Sequence, residues 1–178
     1  MYCVAQNHFS CRIAAVTSFI LSLGCGIISV FSAKQGATSV HAVDVSKFSV
    51  ANAQENFKNH GFDGPRYKVF QSDLFENINE KFDIVYFSPP WIAGEAETEM
   101  EQAGLDKDYG TIKRFMAEVG DYLEPDGSVT LTWGDCCDMG LLNDLIKKNN
   151  YEIQTFYEKS IDNGEITAFV LILMKNKS

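Results

Sequence analysis

Short runs of β-branched and aromatic residues alternate along the chain with longer amphipathic runs. Residues 19–23 are apolar and end at Gly24-Cys25-Gly26, the pattern of a strand entering a tight turn. Residues 27–35 then predict a helix stopped by Gly36. Residues 40–45 predict a second strand, and Ser46 is suited to N-cap a helix that runs to about Asn59 and closes at His60-Gly61. Residues 67–71 read as a short third strand, and residues 82–87 (FDIVYF) as a buried fourth, halted by Pro89-Pro90. Residues 92–107 are acidic and without period. A helix is expected over 109–123, then a turn at Glu124-Pro125-Asp126-Gly127, a fifth strand over 128–133 and a helix over 141–149. Residues 152–158 and 166–174 close the chain as strands joined at Asp162-Asn163-Gly164.

Strands that alternate with helices make βαβ units, hence an α/β fold with a parallel sheet covered on both faces. The last two strands have no helix between them, so the final one is expected to run antiparallel. The prediction is a doubly wound seven-stranded sheet, mostly parallel, in a single domain over residues 1–178 with residues 1–17 as a short N-terminal extension. Between Arg12 and Lys34 the chain carries no charge for 21 residues, long enough to span a bilayer or to serve as the apolar part of a signal peptide. Gly24 and Gly26 interrupt that run, and the βαβ pattern downstream needs its first half as a strand. It is therefore read as strand one, its turn and the helix after it, with no membrane association expected.

At 178 residues and 46% hydrophobic composition the chain is long enough for one packed core. The net charge of −9 argues against an extended nucleic-acid footprint, because such a surface repels phosphate backbones. It accommodates a protein partner or a small cationic ligand such as a sulfonium. The five cysteines (Cys3, Cys11, Cys25, Cys136, Cys137) form no CxxC pair and suggest neither a disulfide framework nor a zinc ribbon; reduced thiols and a cytoplasmic location are expected. No metal site is expected: Asp135-Cys136-Cys137-Asp138 reads as polar residues capping the next helix, and His8, His41 and His60 lack ligand spacing. The acidic stretch 95–101 is either a lid over substrate or a solvated loop.

Four strand-end clusters carry candidate chemistry. Glycines in Gly24-Cys25-Gly26 let the backbone turn sharply and approach a ligand, with helix-start amides facing a polar group. Asp44, at the end of strand two and followed by Val45, is placed to accept both hydroxyls of a ribose. In Ser72-Asp73-Leu74, after strand three, the acid suits an exocyclic adenine amine. Together they predict an adenosine-containing cofactor. The spacing Gly24-x-Gly26-x-x-Ser29 also approaches the dinucleotide fingerprint, which keeps a nicotinamide-dependent oxidoreductase open. The fourth cluster, Ser88-Pro89-Pro90-Trp91, separates these readings. Two prolines stiffen the turn and donate no amide hydrogen, so its carbonyls accept from an NH2 group. Ser88 accepts another, and Trp91 stacks on a planar amide or base. Such a turn prepares a poor nitrogen nucleophile by orientation more than by a strong base.

Leu23-Gly24-Cys25-Gly26, Val43-Asp44, Ser72-Asp73 and Ser88-Pro89-Pro90-Trp91, in this order, resemble a class I S-adenosylmethionine-dependent methyltransferase with a Rossmann-like sheet. The (N/D/S)-P-P-(Y/F/W) element points to the amino-methylating branch. Gly104-Leu105, the Tyr109–Phe115 segment and Leu123-Glu124-Pro125-Asp126-Gly127 are similar to the small-domain group that contains protein glutamine N5-methyltransferases. The resemblance covers about residues 19–174. It implies that Gly24 and Gly26 face the amino-acid part of S-adenosylmethionine, that Asp44 holds the ribose and Asp73 the adenine amine, and that Cys25, Val45, Ser72 and Leu74 also bind the cofactor. Ser88, Pro89, Pro90 and Trp91 would hold the acceptor NH2, with Ser88 also bordering the cofactor. The implied reaction is methyl transfer to a planar nitrogen, of a protein glutamine amide or a small-molecule amine. An exocyclic base amine in nucleic acid, and a non-catalytic partner-binding module, are the alternatives; a partner subunit that completes the site is a further expectation. The glycine loop departs from the family pattern: it is about two residues short and has Ser22 where an acid is common, which predicts weakened cofactor binding.

Overall fold

A computed structural model describes residues 16–22, 24–98, 101, 103–161 and 165–176. The expected start of the apolar run at residues 13–15, Leu23, and the turn Asp162-Asn163-Gly164 lie outside the described residues, as do Cys3, Cys11 and His8. The strands are β1 (Thr17–Leu21), β2 (Ser39–Asp44), β3 (Tyr67–Gln71), β4 (Phe82–Phe87), β5 (Ile92–Ala93), β6 (Leu105–Asp106), β7 (Leu123–Gly134), β8 (Tyr151–Ile161) and β9 (Ile166–Lys175). The helices are α1 (Ile27–Lys34), α2 (Lys47–Asn59), α3 (Gly110–Glu118) and α4 (Met139–Lys148), with 3-10 turns at Lys107–Tyr109 and Val119–Tyr122. Seven strands form one sheet in the order β3-β2-β1-β4-β7-β9-β8, and β5 and β6 form a separate parallel pair. The expected doubly wound sheet is therefore present, and β9 runs antiparallel to both β7 and β8.

The chain divides into two compact units. The first comprises the described residues up to Ile78 together with Phe82–Ile84. In it β1, β2 and β3 pair in parallel, with Leu21 opposite Val43 and Asp44 opposite Gln71. Their side chains are buried nearly throughout β1 and β2, as the continuous apolar runs require. Phe19 stacks on Phe82 at 4.9 Å and tilts against Phe75 at 5.5 Å, forming the aromatic centre of this unit. Thr17 fixes the start of β1: its N–H and its hydroxyl each donate to Asp83 Oδ2 at 2.8 Å. The described residues of the uncharged run thus form β1, a turn and α1. Among the described residues no helix is long and apolar enough to cross a membrane.

The second unit holds Asn79–Lys81 and the described residues from Val85 onward. Val129, Leu131 and Trp133 of β7 and Leu171 and Leu173 of β9 are buried, as are Ile112, Phe115 and Met116 of α3 and Leu142, Leu145 and Ile146 of α4. Ring centroids of Phe87 and Phe115 lie 4.4 Å apart.

Four local expectations are corrected here. The Glu124-Pro125-Asp126-Gly127 turn is instead the first part of β7, which runs unbroken from Leu123. The ladder to β9 begins only at Ser128, so Pro125 costs that ladder no hydrogen bond. The helix over 109–123 ends at Glu118 and tightens into a 3-10 turn, because Val119 must turn inward to be buried. Residues 92–107, read as irregular, contain the short β5–β6 pair, in which Ile92 N–H donates to the Gly104 carbonyl at 3.0 Å. Strand one lies two residues earlier than read, because Ser22 takes a left-handed conformation (φ 61°) that ends it.

Candidate active site

In the first unit the loops after β1, β2 and β3 all follow the carboxyl ends of neighbouring parallel strands, where open α/β sheets bind ligands. The loops after β2 and β3 are tied together. Ser72 N–H donates to the Asp44 carbonyl at 3.1 Å, and Gln71 Nε2 donates to the Val45 carbonyl at 2.7 Å. Asp44 Oδ1 accepts from Ser46 N–H at 2.8 Å, which holds the half-buried carboxylate at the strand tip and starts α2 with Ser46 as its N-cap. Val45 beside it is half exposed, an apolar surface at the strand end.

Ser72 is tied into its own turn. Its buried hydroxyl donates to the Leu74 carbonyl and accepts from Asn77 N–H, both at 3.2 Å, so it shapes the turn. Leu74 is buried with φ 46° and points into the core. Asp73 between them is half-buried.

The two glycines of the β1 loop divide the labour. Gly26 has φ 78°, and a Cβ on it would come 2.8 Å from the Cβ of Ala53, so it is the point where α1 crosses closely over α2. Gly24 has φ 50°, and among the described residues nothing lies within 4 Å of a built Cβ, which leaves room for a ligand to approach its backbone. Cys25 between them is exposed, and its carbonyl accepts from Asn56 Nδ2 at 2.7 Å. Ala53 and Asn56, one turn apart on α2, are site-shaping residues that sequence reasoning missed. The only signal available was their helical spacing after the Ser46 cap.

In the second unit Ser88 is exposed at the end of β4, and its Oγ accepts from the Thr132 hydroxyl at 2.9 Å. Pro89 is buried, while Pro90 and Trp91 are half-buried. The Trp91 ring lies over Gly134: a Cβ there would meet Trp91 Cε3 and Cζ3 at 3.0 Å. Thr132 and Gly134, both on β7, were missed because only the tertiary fold brings them to the proline turn. The segment after Trp91 is pinned by the β5–β6 pair and by Asp106. That buried carboxylate accepts from Thr111 N–H and Thr111 Oγ1 at 3.0 Å and so caps the first turn of α3. Asp108 and Tyr109 are both left-handed (φ 54° and 53°), and the Tyr109 hydroxyl accepts from Asp138 N–H at 3.3 Å.

Asp138 caps α4 by accepting from Leu141 N–H at 2.8 Å, the role expected of the Asp135–Asp138 stretch. Burial, against a lowering hydrogen bond from the Gly134 backbone, pushes the Cys137 thiol up to about 12, so it stays neutral and is no nucleophile near pH 7. Burial likewise raises Tyr86 on β4. In the acidic segment, Glu97 N–H and Thr98 N–H donate to the Glu101 carboxylate at 2.8 and 3.1 Å.

The family model for the methyltransferase small domain matches residues 8–151, well over half of the chain. The chain belongs to that family. Among curated relatives of this methyltransferase small domain is the provisionally named protein N5-glutamine methyltransferase of Methanocaldococcus jannaschii. It is 31% identical over 117 residues, which cover 62% of this chain and 58% of the relative. A ribosomal RNA large subunit methyltransferase K/L of Shewanella baltica is 30% identical over 110 residues, 60% of this chain and 15% of that protein. The chain therefore spans less than two thirds of the length of these relatives. Among solved structures, the ribosomal protein L11 methylase of Lactobacillus delbrueckii subsp. bulgaricus superposes with a TM-score of 0.71 at 18% identity, over 94% of this chain and 73% of that one. A provisionally assigned methyltransferase solved in complex with SAH gives a TM-score of 0.69 at 17% identity, over 89% and 46% of the two chains. The chain thus has the Rossmann-like sheet that its motif order implied.

Proposed function

We propose that this chain transfers a methyl group from S-adenosylmethionine to a planar nitrogen, and that the nitrogen belongs to a protein glutamine amide or a small-molecule amine. The observation that carries the reading is the Ser88-Pro89-Pro90-Trp91 turn, with its Ser88 Oγ fixed 2.9 Å from the Thr132 hydroxyl. A hydroxyl held in this way, beside carbonyls that the prolines leave without neighbouring amide competition, accepts the hydrogens of an NH2 group. The half-buried Trp91 ring offers a flat apolar surface to its plane. The nitrogen lone pair is thereby directed outward, and alignment does most of the catalytic work.

The first unit fits the cofactor. Gly24 leaves room for its amino-acid end, Asp44 at the tip of β2 is assigned to the ribose diol, and exposed Val45 offers an apolar surface to the adenine. Asp73 is assigned to the exocyclic adenine amine. When bound, the sulfonium would supply an electrophilic methyl carbon and leave as a neutral thioether, while the methylated nitrogen would release one of its hydrogen-bonded protons to solvent. Ser72 and Leu74 shape the adenine loop from behind. The relatives named above act, by their names, on glutamine or on ribosomal RNA. The net charge of −9 favours the glutamine or amine acceptor over a polyanion.

Calorimetric titration with S-adenosylhomocysteine tests the cofactor half. Micromolar binding that Asp44→Ala weakens at least tenfold is expected, and no binding at millimolar ligand would leave a partner-binding module instead. Transfer of labelled methyl to a glutamine-containing peptide, with RNA as the competing acceptor, tests the acceptor half; labelling of RNA alone would reverse the assignment.

A further inference from the structure

β8 is an outer strand of the seven-stranded sheet: β9 covers one side of it, and among the described residues no strand lies beyond the other. It is also long for an outer strand, running from Tyr151 to Ile161, and it carries four exposed large apolar residues, Ile153, Phe156, Tyr157 and Ile161. Phe156 is 46% exposed and Tyr157 49% exposed, although Phe156 already rests on Phe169 with ring centroids 5.1 Å apart. Long apolar outer strands offer a row of unpaired amides and carbonyls to another strand.

We infer that β8 pairs antiparallel with β8 of a second copy of this chain, on a two-fold axis through Phe156. The register follows from the bulge in β8. Ile153 and Thr155 occupy successive rungs of the ladder to β9, with Gln154 as the extra residue. Around Leu171, the partner of Phe156, the β8 positions are therefore symmetric: Thr155 and Tyr157 face Ile172 and Val170, Ile153 and Glu158 face Leu173 and Phe169, and Glu152 and Lys159 face Met174 and Ala168. Two copies paired through Phe156 place each Thr155 opposite the other copy's Tyr157, and each Ile153 opposite its Glu158. Each Glu152 then stands opposite the other copy's Lys159, with both side chains on the same face of the sheet.

This register brings the two Phe156 rings together at the axis and makes the Glu152–Lys159 pair twice, once on each side. Opposite charges directly across a strand pair stabilise it, and like charges oppose it. Gln154 Nε2 donates to Glu152 Oε1 at 2.5 Å, which steadies the carboxylate at the end of the paired stretch. A second copy suits this strand better than an unrelated partner, because the strand is charge-complementary to its own reverse.

Sedimentation velocity of the full chain over about 1–100 µM reads the proposal directly. A concentration-dependent dimer is expected. Lys159→Glu and Glu152→Lys should each weaken it about tenfold, and the double reversal should restore it. Outward-facing β8 amides of the unaltered chain should also exchange more slowly at high concentration, a measurement that needs no variant. A chain that stays monomeric throughout, β8 amides indifferent to concentration, or a dimer unmoved by either single reversal would each overturn the assignment.

Discussion

The glycine loop after β1 and the proline turn after β4 are both strand-end turns, yet they are held in opposite ways. The glycine loop is defined by the absence of side chains. Gly26 lets α1 touch Ala53, Gly24 leaves a space open, and a single side chain from α2, Asn56, reaches in to fix the Cys25 carbonyl. The proline turn is defined by side chains. Two pyrrolidine rings limit its backbone, Thr132 holds Ser88, and the Trp91 ring lies over Gly134. The contrast teaches that backbone geometry should govern cofactor binding here, and side-chain chemistry should govern acceptor choice.

The sharpest way to break this contrast is within the glycine loop itself. Gly26→Ala adds a methyl 2.8 Å from Ala53 Cβ at a left-handed residue and should cost roughly 3 kcal/mol in a urea melt. Gly24→Ala meets nothing and should cost only about 1 kcal/mol, while weakening S-adenosylhomocysteine binding more than its stability loss suggests. Equal costs at the two positions would show that the loop does not divide its glycines between packing and binding.

On the other side, Thr132→Val keeps the volume and removes the hydroxyl that donates to Ser88. Methyl transfer to a glutamine-containing peptide should fall about tenfold in kcat/KM, roughly the worth of one hydrogen bond, with cofactor affinity unchanged. Asn56→Ala should do the reverse: about 1 kcal/mol of stability and a few-fold of cofactor affinity lost, with the acceptor KM unmoved. A Thr132 variant that lost cofactor affinity instead would collapse the distinction.

The smallest effect concerns the second unit's background stability. Burial, aided by Asp121, pushes Tyr151 up to about 12 from an ordinary 10, and among the described residues its buried hydroxyl has no hydrogen-bond partner. The folded state thus holds the phenol proton more tightly than the unfolded chain does. The resulting stability is present below pH 10 and is lost as pH rises from 10 towards 12. Tyr151→Phe should match the parent within a few tenths of a kcal/mol at neutral pH and lose less stability in that alkaline window, as read by urea melts at several pH values.

Much of the fold was legible because local chemistry and tertiary demand agree. Ser46 caps α2 and His60 ends it, and FDIVYF is β4 to the residue. Where they disagree, the reading slipped. Pro125 and Gly127 carry turn chemistry, but they lie on the part of β7 ahead of its ladder to β9, where an extended chain meets no hydrogen-bond penalty. Left-handed Ser22, Leu74 and Tyr109 leave no trace in residue type, since glycine, asparagine or aspartate is the usual mark of that conformation. At the site, the strand-end acids and the proline turn stood out by order and spacing. Asn56 lies 31 residues from Cys25 and Thr132 lies 44 from Ser88, and one sequence offers no cue to contacts so far apart.

Two exposed thiols, Cys25 and Cys136, sit one in each compact unit, while Cys137 is buried and resists deprotonation. With Cys3 and Cys11 replaced by serine, the molecule therefore brings its own pair of attachment points for a donor and an acceptor dye. Loss of energy transfer in a urea titration would then report on unfolding, with no foreign residue placed at either point.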